Sequence, residues 1–242
     1  MALVRFIKVT LFIGVIGFAA LFIYGYVRNN PQDMPWTKLD LTQPVGTFTG
    51  RKLVGLRGDR AQCTALLDRA GVTFTALPER TGEGQCGYAD GVRLGKGGSN
   101  AIGFTPANLA TSCSVAAGLA LLEWNVIQPA ALQHLGSRVT KIDHLGSYSC
   151  RRMYGRSSGA WSEHSTANAI DIAGFRLADG RRISVLRDWE GEGDEADFLR
   201  AVRNGACKLY ATVLSPDYNA AHRDHLHLDQ AERGEMGWRA CR

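Results

Sequence analysis

The chain has 242 residues, 45% of them hydrophobic, and a formal net charge of +5. That length supports one sizeable core and at most a small extra lobe. Arg5 and Lys8 supply +2 of the charge ahead of an apolar run, so the remainder is only mildly basic. This argues against nucleic acid as a partner and leaves an anionic polymer or a peptide carboxylate compatible.

The run is Val9–Val27, 19 residues without a charge. At about 1.5 Å per residue it matches a hydrocarbon layer of about 30 Å. The positive residues before it predict a cytoplasmic N-terminus and an exported remainder. The run is long for a secretory h-region and no A-x-A site follows, so an uncleaved signal anchor is expected, with a cleaved signal peptide as the alternative. The expected organisation is residues 1–8 in the cytoplasm, 9–27 across the inner membrane, 28–50 as a proline-containing linker, and 51–242 as one periplasmic domain.

"CTALLDRA" (63–70) reads as a short helix closed by Gly71, and "VTFTAL" (72–77) alternates like a strand. "TGEGQCGYADG" (81–91) and "GKGGSN" (95–100) read as loops. The strongest helix pattern covers 111–136, with Thr111 or Ser112 as cap, Gly136 as stop and a kink or split at Pro129. His134 near its end faces the helix dipole. Strands are predicted at 138–150, at 168–177 and 181–186 as a hairpin around Asp179-Gly180, and at 225–229. A helix is predicted at 194–204. The order mixes strands and helices without regular alternation, which points to an α+β fold with a small antiparallel sheet packed against helices.

All six cysteines, Cys63, Cys86, Cys113, Cys150, Cys207 and Cys241, follow the apolar run. An even number in an exported domain suggests disulfides, and the absence of C-x-x-C argues against a cysteine zinc site. Many connectivities are open; the one taken forward is Cys63–Cys86, Cys113–Cys241 and Cys150–Cys207.

"AHRDHLHLDQ" (221–230) holds three of the six histidines. On a strand His225 and His227 share a face, while Leu226 and Leu228 face the core. One imidazole can then bind a metal and the other reach a water beside it. By the same parity Asp224 turns away unless the strand begins after it, and Asp229 sits one step beyond His227. His222, in the preceding loop, can approach either face. Upstream, "WSEHSTANAIDIAGF" (161–175) offers His164 and Asp171. Asp171 interrupts an apolar alternation, and a buried carboxylate needs a metal or a basic partner such as arginine. Two imidazoles and a carboxylate suit zinc and leave a fourth position open.

"SEHSTANAID" resembles the S-x-H-x-x-G-x-A-x-D motif of D-Ala-D-Ala metallopeptidases, and "HRDHLH" resembles the H-x-x-H-x-H motif of penicillin-insensitive murein endopeptidases. Both belong to the LAS group of zinc peptidases, with the hedgehog signalling domain. The run from Lys141 to Trp189, with "FLRAV", "DYNAAH" and "DHLHLD", resembles the bacterial extensin-like C-terminal domain family over roughly residues 60–242. The resemblance implies a hedgehog- and D-Ala-D-Ala-peptidase-like fold and one zinc ion on His164, Asp171 and His227. It implies catalytic roles for His225 and His222, with Asp224 as a second-rank acid. An upstream arginine for the substrate carbonyl corresponds to Arg151 or Arg152, and Ser162 shapes the loop before His164. Ala167 stands where the motif has glycine. The expected activity is hydrolysis of a peptide bond in peptidoglycan stem peptides by a DD-endopeptidase or carboxypeptidase. The alternative is a non-catalytic zinc-stabilised module that binds cell wall or protein.

Overall fold

The computed structural model describes residues 2–107, 109–234 and 238–242. Helix α1 (Ala2–Asn29) has no buried residue, and its 28 residues are long and apolar enough to cross a membrane. The segment after it is not all spacer. Leu39 and Leu41 are buried in the core, and Lys52 of α2 (Thr49–Val54) donates to Thr37 Oγ1 at 2.8 Å.

Helix α3 (Arg60–Arg69) is capped by Asp59, whose side chain accepts from Gln62 N, and ends before Gly71 in the left-handed region. Strand β1 (Val72–Ala76) follows, then the short ribbon β2 (Arg80–Thr81) and β3 (Gly87–Tyr88), then β4 (Gly91–Gly98). The run 95–100, expected as a loop, is strand as far as Gly98. Backbone pairing of β4 with β1 brings Gly98 opposite Val72, where a Cβ would collide with the Gly71 carbonyl. Glycine serves both this close approach and the turn that follows, where Gly98 at φ 61 starts a two-residue connection closed by Asn100 N donating to Gly97 O at 3.2 Å.

Strands β5 (Gly103–Thr105) and β6 (Ala110–Ser112) precede the principal helix. Ser112 caps α4 (Cys113–Leu122) by accepting from Val115 N, and every residue of α4 is buried. The predicted split occurs before Pro129. A proline has no N–H to offer residue 125, and the backbone widens into a π-turn over Glu123–Ile127, where Gln128 N donates to Glu123 O. Helix α5 (Gln128–Leu135) then runs to Gly136 at φ 64.

The remaining elements are β7 (Val139–Gly146), β8 (Ala169–Leu177), β9 (Arg182–Ser184), α6 (Val185–Asp188), α7 (Asp194–Ala206), β10 (Thr212–Leu214), β11 (Leu226–Asp229) and β12 (Ala240–Cys241). Among the described residues, seven strands make the main sheet, in the order β12-β10-β11-β8-β7-β5 with β9 on β8. Its centre, β10-β11-β8-β7, is antiparallel as expected; the outer pairs β5–β7 and β10–β12 are parallel. A smaller sheet, β1-β4-β6, is antiparallel.

The two faces of the main sheet differ. Ile170, Ile172, Val213, Leu226 and Leu228 are fully buried in the core. Phe175 meets Phe198 of α7 edge-on at 5.1 Å. Asp171 and His227 alternate with these residues and occupy the other face.

The disulfides correct the expected pairing at every bond. Cys63 pairs with Cys113, Cys86 with Cys150 and Cys207 with Cys241. The first ties α3 to the start of α4, the second ties the β2–β3 ribbon to the loop after β7, and the third ties the end of α7 to β12. Each joins elements adjacent in space, which spacing along the chain does not encode. The Cys63–Cys113 bond closes a separation of 50 residues. Replacing both by alanine should lower the unfolding free energy by about 4 kcal/mol, read by urea denaturation, while non-reducing peptide mapping returns the three pairs.

Candidate functional site

Three donor atoms converge on the polar face of the sheet. Asp171 on β8 and His227 on β11 are direct cross-strand partners, with His227 Nδ1 at 2.9 Å from Asp171 Oδ1. His164 comes from a single 3₁₀ turn, Glu163–Thr166, and places Nε2 at 3.2 Å from Asp171 Oδ2 and 3.2 Å from His227 Nδ1. Donors about 2.05 Å from a tetrahedral zinc ion lie about 3.3 Å from one another, so the triangle has the dimensions of such a site. The remote ring nitrogens are also committed. His164 Nδ1–H donates to the Ser147 carbonyl at 2.7 Å, and His227 Nε2–H donates to Asp229 Oδ2 at 3.0 Å. These bonds fix each ring with its other nitrogen towards the cluster, as metal-binding imidazoles require. The donor set and its supporting bonds fit a zinc ion. The arginine partner considered for Asp171 is not present among the described residues; the histidines fill that role.

The turn that carries His164 is built locally. Ser162 Oγ accepts from His164 N at 3.3 Å. Ala167 adopts φ 55, a left-handed conformation that glycine would enter more readily. Its carbonyl accepts from Ser112 N, Thr111 Oγ1 and Ser147 Oγ at 2.9, 3.0 and 3.1 Å. Those three bonds offset the cost of the missing glycine.

His225 lies just before β11, because the strand begins at Leu226. Asp224 is therefore not turned away as strand parity suggested. His225 Nδ1–H donates to Asp224 Oδ1 at 2.8 Å, and His225 Nε2 stands 3.5 Å from Asp171 Oδ1. Asp224 holds the ring and Nε2 faces the cluster. The His222 ring is 5.2 Å from that of His225, and its Nδ1–H donates to Asn219 Oδ1 at 2.8 Å. Of the two arginines, Arg151 lines the cleft. Arg152 is committed elsewhere: its guanidinium lies over Trp161 at 4.4 Å and donates to the Gly159 carbonyl. His164, Asp171, His222, His225, His227 and Arg151 line one cleft of about 470 Å³. Sequence reasoning assigned no role to Arg233, Arg242, Tyr218 or Trp161, although all four line the cleft; Trp161 and Tyr218 fall within "WSEHSTANAIDIAGF" and "DYNAAH", while Arg233 and Arg242 lie outside any motif.

Burial alone would raise the Asp171 carboxyl, but hydrogen bonds from His164 and His227 outweigh it and hold it well below the ordinary carboxylate range. Burial likewise opposes a charged His227, yet Asp171 and Asp229 at its two nitrogens push it up to about 9. His222 is pushed down to about 4, first by burial and then by His225 and His227.

A family model described as Extensin-like protein C-terminus matches residues 61–242. The chain belongs to this family. The extensin-like region begins within α3 and contains every residue of the cluster. Comparison with curated proteins finds no match, and comparison with solved structures finds none.

Two outcomes test the metal fit of this extensin-like site. His227 must lose a proton to offer Nδ1, and in the metal-free site it does so only near pH 9. Apparent zinc affinity should therefore rise by about tenfold per pH unit from neutral pH to about 9 and level off above it. Competition titrations against a chelator measure this, and a flat profile rules out His227 as a ligand. Asp229→Asn should weaken zinc binding by about ten- to hundredfold in the same assay.

Proposed function

We propose that this protein is a membrane-anchored, periplasm-facing zinc hydrolase that cleaves a peptide bond in peptidoglycan stem peptides or cross-links. The observation that carries this reading is the pairing of two functions in one cleft. A zinc-sized donor triangle stands beside an imidazole that binds no ligand position and is held by its own carboxylate. A site that only braced the fold would have no use for the Asp224–His225 pair. The likeness of "SEHSTANAID" and "HRDHLH" to D-Ala-D-Ala metallopeptidase and murein endopeptidase motifs supports the substrate class. Helix α1 and the disulfides suit an anchored, exported enzyme of the inner membrane.

In this reading His164, Asp171 and His227 hold one zinc ion. Bound zinc supplies Lewis-acid polarisation of a carbonyl and acidification of water. His225 Nε2 accepts a proton from the attacking water and returns it to the leaving amine nitrogen. Asp224 keeps Nδ1–H committed, so that Nε2 is the basic atom. Arg151 directs positive charge to the carbonyl oxygen as negative charge develops on it. His222, neutral at physiological pH, offers Nε2 as a hydrogen-bond acceptor on the cleft wall.

The test is release of soluble fragments from purified sacculi by the full chain in detergent, followed by mass spectrometry, with and without a chelator. The wild type should release them in a chelator-sensitive manner. His225→Ala should retain zinc and lose about a hundredfold or more of the rate. If wild type and His225→Ala both hold zinc and release nothing, the site is a zinc-stabilised binding module.

A further inference from the structure

The cleft has a cationic end that the zinc cluster and the His225 dyad do not use. Across the polar face of the sheet, Asp171 pairs with His227 and His227 with Leu214. Arg242 continues β12 at the level of Leu214: its N–H donates to Val213 O, and its carbonyl accepts from Ser215 N, both at 2.9 Å. One row therefore runs Asp171, His227, Leu214, Arg242. With strands about 4.8 Å apart, the Arg242 backbone stands about 10 Å from that of His227.

Arg233 reaches the same end from the loop after β11. Its Nε and Nη2 donate to Thr212 Oγ1 at 3.1 and 2.6 Å, and Thr212 pairs with Asp229 in the adjoining row. Nη1 keeps its N–H groups for a ligand. The carboxylates lining the cleft are committed elsewhere: Asp171 and Asp229 to His227, Glu163 to Asn168 at 2.7 Å and Arg57 at 3.6 Å, and the α-carboxylate of Arg242 to Ser215 N and Oγ at 2.9 and 2.8 Å. Among the described residues no carboxylate pairs with Arg233 or Arg242. Ala231 and Ala240, with their small side chains, also line the cleft.

We propose that Arg233, assisted by Arg242, is the carboxylate-binding subsite of the cleft, and that it selects peptides with a free carboxylate one or two residues from the bond cleaved. An extended peptide covers about 3.4 Å per residue, and an arginine side chain spans most of the remaining gap to the cluster. A guanidinium held in place by Thr212 loses little freedom on binding and matches a carboxylate with paired N–H donors. Arg233 is thus a specificity residue at the end of the cleft remote from Arg151. The inference rests on the hydrolase reading for its kinetic form, but not for its binding form.

The experiment uses the full zinc-loaded chain in detergent and two probes: stem peptides with free carboxylates and the same peptides amidated. For the wild type, amidation should raise KM by about tenfold or more with little change in kcat. In Arg233→Ala the ratio of the two KM values should collapse towards about one, and Arg233→Lys should restore part of it. Zinc content, measured alongside, should stay at the wild-type level and reports that the variants are folded. Calorimetry with both peptides separates the two claims. If nothing is cleaved but the free peptide still binds about tenfold more tightly and Arg233→Ala removes that preference, the hydrolase reading fails and the subsite stands. Equal treatment of free and amidated peptides by the wild type, in both assays, overturns the subsite. So does a preference that Arg233→Ala leaves intact.

Discussion

The register between β8 and β11 is the constraint on which the site depends. It sets His227 directly across from Asp171 and, in the same stroke, Leu226 against Ile172 and Leu228 against Ile170. Side chains alternate along a strand, so a slip of one residue would bury an imidazole and a carboxylate and expose the leucines. The apolar residues that fill the core and the polar residues that meet above it are thus held by one pairing. Core burial, the strongest force in the domain, enforces the geometry of a charged cluster that would not assemble by itself.

The parts of the cluster that lie off the sheet are tied to that pairing by hydrogen bonds to buried backbone. Ser147, at the end of β7, accepts from His164 and donates to the Ala167 carbonyl. The turn bearing His164 is therefore locked between the strand before it and the strand after it. The Cys86–Cys150 bond fixes the residue next to Arg151 to the β2–β3 ribbon. Rigid support of this kind holds donor atoms within a few tenths of an ångström, which a metal triangle requires.

Charge in the cleft is arranged by neighbourhood rather than by net composition. Asp171 and Asp229 are paired with histidine, while the arginines towards β12 lack carboxylate side-chain partners among the described residues. A polar gradient of this type is what the proposed peptide substrate, with charge at one end, would require.

Much of the site was legible in the sequence because its donors sit in short, periodic segments. A carboxylate inside an apolar alternation and His227 between two leucines already implied one polar strand face opposite a core face; His225, expected on that strand, lies just before it. The helix at 111–136 and its break before Pro129 followed from apolar continuity and the missing proline N–H. The orientation of Asp224 was left open by parity, which holds only inside a strand; β11 begins at Leu226, after both Asp224 and His225. The disulfide partners, the parallel edge strands and the arrival of Arg233 and Arg242 in the cleft were not legible. Each depends on which segments become neighbours in three dimensions, a choice made by packing of the whole core. The sequence by itself determined the chemical types and facing of the cluster, since local periodicity carries them; only the tertiary structure decided the partners, since contacts between distant segments have no local signal.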